Sequence, residues 1–287
     1  NQGVELALNA NIIRTKNVNW NINLNVTSVK NKILDLDYDN VTEQLYDLEG
    51  NAYTGYRDGS NMYAIGSAIY TKNYKAYAGV DPETGKALYW ARREYVDQAT
   101  GQPAFELYKT ADYSTDADYF VFDTTLPDVY GGFGTSFTWK GFDFSIDFSY
   151  QIGGQVYDGD YAGYMASPTS SSKGSNFHAD VLDAWTKDNN TNIPRFQFDD
   201  QYSSATSDRF LTDASYLNIS NINLGYTLPA KWWNNHISNL RVYVACDNVF
   251  YWSKRKGFDS RQSFSGESND TLYSPLRVIS GGINFRF

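Results

Sequence analysis

The residues of this chain that could support hydrolysis lie between positions 158 and 210. His178 stands two residues before Asp180, and Asp199–Asp200 follow farther along the same region. A His/Asp pair beside a second acidic pair is an arrangement that a protease could use to move protons. Histidine and aspartate are common in loops, however, and nothing in the sequence places these side chains within hydrogen-bonding reach. We therefore expect no catalytic residues and no enzyme.

Other motifs with known chemistry are incomplete. Asp158-Gly159-Asp160 alternates acids as a calcium loop does, but the bidentate Glu that ends such a loop is missing. No glycine-rich phosphate loop, CxxC pair or GxSxG motif is present. The single cysteine, Cys246, lies on the apolar side of a strand pattern, which is typical of an inert thiol. We expect no metal ion, no cofactor and a solvated His236.

Aromatic side chains in the long connections are candidate ligand contacts. They could stack on sugar rings or hold peptide side chains, while neighbouring Asp and Asn side chains supply hydrogen bonds. By position, the candidates are Tyr161, Tyr164, Phe196, Phe198, Tyr202 and Phe264. For each of them, packing onto another aromatic residue or onto a partner protein is an equally good interpretation.

Composition limits the classes of protein that remain. The 287 residues carry a net charge of −9, which argues against nucleic acid because phosphate binding needs a basic face. Aromatic residues make up 17% of the chain, yet no run approaches the roughly 18 apolar residues of a membrane helix. A soluble β-protein and a membrane barrel both fit this composition, since half of each barrel strand faces a polar lumen.

The elements that must position these residues are strands with alternating side chains. Phe142, Phe144, Ile146 and Phe148 alternate with Asp143, Ser145 and Asp147, and Trp20, Ile22 and Leu24 alternate with asparagines. Acidic side chains on the inner face would be costly in a dry core but not beside an aqueous lumen. About nine or ten such strands are expected, each near the 9–11 residues of a tilted membrane strand. The pattern predicts an all-β, antiparallel transmembrane barrel.

Connection lengths and the chain end agree with a barrel. Tight turns are expected at Lys16–Asn17 and Lys140–Gly141, and long extracellular loops near 35–62, 158–210 and 254–274. Ile279, Ile283, Phe285 and Phe287 alternate up to the last residue, so Phe285 and Phe287 are expected to act as the barrel-assembly signal. Since Asn1 begins inside a strand, the chain is expected to be mature or a C-terminal piece.

Seven segments, in order along the chain, carry a family resemblance. They are NQGVELALNANI, YAGVDPETGKALYW, LPDVYGGFGTSFTWKGFDFSIDFSYQIGGQVYD, DAWTKDNNTNIPRF, DRFLTDASYLNISNINLGYTLP, NLRVYVACDNVFYWSKRKGFD and GGINFRF. Along nearly its whole length the chain resembles the C-terminal barrel half of SusC/RagA-type TonB-dependent outer-membrane transporters. An acidic Asp-Gly-Asp-Gly-like run that often occurs in this family is replaced here by YVDQATGQPAFELYKT, which leaves a lumenal metal site without support.

The resemblance implies a 22-stranded barrel in the outer membrane of a Gram-negative bacterium, with residues 1–287 forming part of its wall and ligand vestibule. It also implies an N-terminal plug and barrel portion, energy from the TonB complex and a SusD-like surface lipoprotein as lid. Such transporters import glycans or oligopeptides. Two alternatives stay open: a self-contained outer-membrane barrel acting as adhesin or protease, and a soluble, secreted glycan-binding β-protein.

Overall fold

The structure is a computed structural model, and it describes nearly the whole chain. The described residues are 1–37, 43–99, 101, 103–172, 174–233, 238–255, 257–262, 266 and 273–286. The predictions for Phe264, His236 and Phe287 therefore lie outside the described residues.

Strands dominate the described residues, which contain 17 strands and one short α-helix. The strands are β1 (Gln2–Arg14), β2 (Val18–Lys30), β3 (Glu43–Tyr46), β4 (Ala52–Asp58), β5 (Asn61–Ala64), β6 (Thr71–Lys75), β7 (Tyr77–Val80), β8 (Ala87–Val96), β9 (Pro103–Thr110), β10 (Tyr119–Thr124), β11 (Val129–Trp139), β12 (Phe142–Ile152), β13 (Gln155–Tyr157), β14 (Leu211–Asp213), β15 (Tyr216–Leu228), β16 (Asn239–Ser253) and β17 (Val278–Arg286). Helix α1 spans Gly159–Tyr164, and short 3₁₀ turns span Ser170–Ser172, Ala179–Asp183, Asp208–Phe210, Ala230–Trp233 and Ser260–Gln262.

Seven long strands form one antiparallel sheet, which we call the wall. Its order, β1-β2-β11-β12-β15-β16-β17, follows the chain, so each strand pairs with the next wall strand in sequence. The wall is a meander whose outer strands are β1 and β17. In the described residues no ladder joins these two strands to each other. The predicted all-β, antiparallel architecture is confirmed.

The two faces of the wall differ in polarity. Successive paired positions across six strands place one row of apolar side chains side by side: Leu8, Leu24, Phe133, Phe148, Ile219 and Phe250. The adjacent row on the other face is polar or glycine: Asn9, Asn23, Gly134, Asp147, Asn221 and Asp247. The β12–β15 and β15–β16 ladders shift register between these two rows, at Asp147/Phe148 and Ile219/Asn221, and the shift keeps Ile219 on the apolar face and Asn221 on the polar face. Because the side chains of a strand alternate between faces, this pairing gives a sheet with one apolar and one polar side.

Hydrogen bonds connect side chains along the polar face. Asn221 Nδ2 donates to Asp247 Oδ1 at 2.6 Å. Arg241 donates from Nε to Asp143 Oδ2 at 2.9 Å and from its terminal nitrogen to Asn223 Oδ1 at 2.8 Å. Asp143 and Asp247 of this face therefore have polar partners.

Connections between neighbouring strands of the wall alternate between short and long. Lys140 and Gly141 both have positive φ, +46° and +94°, which fits the two-residue hairpin turn between β11 and β12. Trp139 and Phe142 flank this turn with stacked rings 6.4 Å apart. The long connections at the opposite end of the wall fall within 31–128, 153–215 and 254–277, and we call the described residues of these ranges together the outer block.

The outer block contains its own sheets, which changes the strand assignment. Nine described strands have eight residues or more, close to the expected nine or ten, but β8 and β9 belong to a separate sheet with β7. The predicted loop near 35–62 includes β3, β4 and β5 of another sheet, ordered β10-β6-β5-β4-β3. All five residues of β6 are buried, so protein covers both of its faces.

Three small buried clusters form the core of the outer block. Their members are Leu45, Met62, Ala64 and Val121; Ala87, Tyr89 and Ala117; and Ala162, Met165 and Phe210. Each cluster joins segments that are far apart in sequence.

No helix in the described part of the chain is long and apolar enough to cross a membrane.

Candidate functional site

Two of the predicted ligand aromatics line the same surface depression. Phe198 and Tyr202 lie on a cavity of about 510 Å³ in the outer block, which we call the cleft. Phe198 is 62% exposed, so most of its ring is available for contact. The other side chains around the cleft include charged residues from three segments: Lys86, Asp112, Arg195, Asp199 and Asp200.

The other predicted aromatics are placed differently. Tyr161 donates from its hydroxyl to Asp180 Oδ2 at 2.7 Å, and the Arg255 guanidinium lies 4.1 Å from its ring centre. Phe196 packs edge-on against Phe177 at 5.0 Å. Tyr164 is exposed but does not line the cleft. Tyr161 and Phe196 therefore pack against other side chains of the chain, which is the alternative to ligand contact that the sequence left open.

The acidic and histidine motifs of residues 158–210 serve local structure. His178 Nδ1 accepts the backbone N–H of Asp180 at 3.1 Å and so caps the turn Ala179–Asp183. Asp158 caps α1 by accepting the N–H of Tyr161 at 3.0 Å, and its other oxygen lies 3.0 Å from Arg255 Nε. Asp200 pairs with Arg195 at 2.8 Å. Each group is thus engaged in a contact that accounts for its position.

A tight turn and an arginine hold the cleft together. The turn at Asp81–Lys86 is closed by Thr84 Oγ1, which donates to Asp81 Oδ2 at 2.6 Å. The Gly85 carbonyl accepts the Arg195 N–H at 2.8 Å, and a terminal nitrogen of Arg195 donates to the Thr84 carbonyl at 3.2 Å. Trp185 lies directly over Gly85. These contacts fix the loop that carries Phe198 against the turn that carries Lys86.

The cleft carries negative charge. The Asp112 carboxylate accepts hydrogen bonds from the backbone N–H of Thr115 at 3.1 Å and of Ser114 at 3.0 Å. With the Thr115 bond as the largest cause, these contacts hold the pKa of Asp112 down at about 2. Because Arg195 is paired with Asp200, the remaining charged side chains among the described residues that line the cleft are two carboxylates, Asp112 and Asp199, and one cation, Lys86. A cationic or neutral ligand fits this balance better than an anion.

Two tyrosines, Tyr89 and Tyr113, contact the cleft residue Tyr202. Tyr89 is almost fully buried, donates from its hydroxyl to the Tyr202 carbonyl at 2.6 Å and meets the Tyr113 ring edge-on at 5.0 Å. Tyr113 in turn lies 5.6 Å from the Tyr202 ring. Burial raises the pKa of Tyr113 to about 12. The phenols therefore stay protonated near neutral pH and serve as hydrogen-bond donors.

A second cavity lies where the wall meets the outer block. It has a volume of about 670 Å³ and is lined on the polar face by Tyr130, Gln151 and Tyr216. Arg261 also lines it, but its guanidinium is held by both Asp259 oxygens at 2.9 and 2.7 Å. This cavity, the mouth cavity, offers aromatic rings and amides and carries no unpaired charge among the described side chains that line it.

Comparison with known proteins gives relatives of one kind. No family model matches the sequence. The chain is 28% identical over 307 residues to the TonB-dependent receptor P26 of Formosa agariphila and 25% identical over 290 residues to the TonB-dependent receptor SusC of Bacteroides thetaiotaomicron. Both alignments cover the whole chain but only 29% and 26% of the relatives. The chain thus spans less than a third of their length.

Solved structures agree with the sequence relatives. The structure of the RagAB peptide transporter matches 98% of this chain and 28% of its own with a TM-score of 0.74 and 26% identity. The 'closed-closed' state of the RagAB peptide importer matches with a TM-score of 0.73 at the same identity. The predicted family resemblance is confirmed: over its whole length this chain is similar to part of TonB-dependent receptors of the SusC/RagA type.

Proposed function

We propose that this chain forms part of the barrel wall and ligand vestibule of a TonB-dependent outer-membrane nutrient importer. The observation that carries the proposal is the seven-stranded wall, in which six strands share an apolar row on one face and an amide-rich row on the other. Such a sheet suits a position between lipid and an aqueous lumen. The likeness to SusC and RagAB supports import as the activity.

The proposed location is the outer membrane of a Gram-negative bacterium, with the apolar face toward the bilayer. The proposed partners are the plug and remaining strands of the same transporter, the TonB complex and a SusD-like lipoprotein. In the part of the chain that the structure describes, no strand pairs with the outer edges of β1 and β17, which supports further strands on both sides of the wall. They also count against the alternative of a self-contained adhesin or protease barrel, for which these strands would pair.

The cleft and the mouth cavity are the proposed ligand contacts on the vestibule side. Both lie in or beside the outer block, at the end of the wall with long connections. The cleft supplies aromatic rings with carboxylates, and the mouth cavity supplies aromatic rings with amides. A neutral or cationic oligomer, either a glycan or a peptide, can be held by these groups.

Replacing Phe198 by alanine tests the cleft in the full transporter. Loss of an exposed ring that stacks on the ligand should raise the half-saturating ligand concentration for uptake about fivefold, since such contacts contribute roughly 1 kcal/mol. Uptake of labelled oligosaccharide and oligopeptide mixtures into cells is the measurement. Leu182→Ala is the control, since Leu182 is 85% exposed and lies outside the cleft.

Two outcomes would contradict these proposals separately. If cells carrying the full transporter take up none of the probes in a TonB-dependent manner, the importer assignment fails. If uptake is TonB-dependent but Phe198→Ala and Leu182→Ala behave alike, importer activity stands and the cleft is not a ligand contact.

A further inference from the structure

A loop segment beside the cleft contains a carboxylate that ties it to a strand far away in sequence. The segment, residues 200–210, which we call the strap, carries the cleft residues Asp200 and Tyr202 at one end. At its other end Asp208 Oδ1 accepts the backbone N–H of Tyr77 at 2.6 Å. This bond ties the strap to β7, which lies in a different part of the chain.

The other strap contacts come from neutral or cationic groups. Tyr89 donates to the Tyr202 carbonyl at 2.6 Å, and Tyr113 donates to the Thr206 carbonyl at 2.8 Å. Arg209 donates within the strap to the Ser203 carbonyl at 2.6 Å. The backbone of Ser207 forms an isolated parallel β-bridge with the backbone of Lys75 in β6. Phe210, fully buried, anchors the end of the strap.

Among the described residues, the cations near Asp208 contact other groups and do not form an ion pair with its carboxylate. Arg209 is next to it, but its guanidinium lies over the rings of Tyr77 and Phe210, at 5.2 and 5.1 Å. Lys75 Nζ donates to the Tyr113 carbonyl. The Tyr77 and Tyr89 phenols are neutral near pH 7, because burial raises both of their pKa values. Among the described residues no ion pair to Asp208 is present, and burial raises the pKa of its carboxyl to about 6.

We propose that Asp208 is a proton-operated latch that holds the strap, and with it one side of the cleft, more firmly at acidic pH than at neutral pH. The sign follows from linkage. The docked carboxyl binds a proton more tightly than a solvated one, whose pKa is 3.8, so protonation favours the docked strap. Above pH 6 the buried carboxylate is charged in the docked strap, and release into water becomes easier. The regulatory meaning of the latch rests on the proposed function of the cleft.

Hydrogen exchange measured by mass spectrometry on the full transporter in detergent tests the latch. After correction for the intrinsic pH dependence of exchange, protection of strap peptides should rise about tenfold from pH 7.5 to pH 5. In Asp208→Asn, whose amide oxygen can still accept the Tyr77 N–H, protection should be high at both pH values. Asp188→Asn, which neutralises an exposed carboxylate of the outer block, should keep the wild-type pH profile.

Three results would overturn the proposal. They are equal pH profiles in wild type and Asp208→Asn, a wild-type profile of opposite sign, and loss of strap protection at every pH in Asp208→Asn. The last would show that the carboxylate is only a structural anchor. Since exchange requires no ligand and no TonB, failure here is distinguishable from failure of the importer assignment.

Discussion

Leu24→Arg is expected to prevent the transporter from assembling in the outer membrane, whereas Asn23→Arg is expected to assemble. Leu24 lies in the apolar row of the wall, between Leu8 and Phe133. An arginine on the lipid face near the middle of a strand costs about 2–4 kcal/mol. The neighbouring Asn23 points to the polar face, where its row includes Asp147. A cation placed there remains in water and close to a carboxylate.

The two variants differ by one position in the same strand, so backbone propensity and distance from the turns are matched. The measurement is the amount of folded transporter in purified outer membranes, detected by its mobility before and after heating. Equal loss in both variants would mean that β2 tolerates no arginine on either face. Equal assembly would contradict the assignment of the apolar face to lipid.

Gly85→Ala is expected to open the cleft. Gly85 has φ +73°, and a Cβ there would lie 2.1 Å from Trp185 Cε3. An alanine in this conformation costs about 1–2 kcal/mol, and the overpacking adds about 1–3 kcal/mol. Relief requires Trp185 to leave the turn, which also separates Arg195 from the Gly85 carbonyl. Protease cleavage near Lys187 and hydrogen exchange of residues 181–198 should therefore increase strongly.

Gly59→Ala is the matched control for this prediction. Gly59 also has positive φ, +60°, but no described residue other than its two chain neighbours comes within 4 Å of the position that an alanine methyl group would take there. The substitution therefore adds the backbone cost without the clash, and the region of Trp185 should keep its wild-type exchange. If both variants behave alike, backbone strain alone explains the effect, and the packing of Trp185 does not hold the cleft.

The two faces of the wall can be predicted from the sequence because the side chains of its strands alternate with period two. Asn21, Asn23 and Asn25 lie on the polar face as expected, and Phe144, Ile146 and Phe148 lie on the apolar face. The turn at Lys140–Gly141 is equally predictable, since a glycine after a polar residue between two alternating runs is a hairpin signal.

The outer block cannot be predicted in the same way. Alternation in β8 resembles that of a wall strand, because period two does not distinguish a face covered by lipid from one covered by protein. Tyr89 and Ala91 are buried against other segments of the chain, a fact that depends on long-range packing. Alternation alone therefore counts β8 and β9 among the nine or ten expected barrel strands, whereas the structure places them in a separate sheet with β7.

The cleft follows from the sequence only in part. Phe198 and Tyr202 are candidates by their position in a long connection, and both line it, whereas Lys86 and Asp112 carry no such signal. These two come from segments about a hundred residues away, and no local pattern joins them to Phe198. The DPETG sequence does mark a tight turn, but only the structure shows that Trp185 and Arg195 pack onto it.

The wall also has a consequence for how the protein folds. Among neighbouring strands of the wall, β2 and β11 have the longest connection, residues 31–128. They still pair without a bulge from Tyr130–Thr27 to Trp139–Val18. Closing a flexible loop of roughly a hundred residues costs about 3 kcal/mol more than closing a tight turn. If the sheets of the outer block form first, they shorten that loop. We therefore expect the outer block to fold first and β2 to pair with β11 afterwards. Mutations in the outer block should then slow the pairing of β2 with β11, although the mutated residues do not contact either strand.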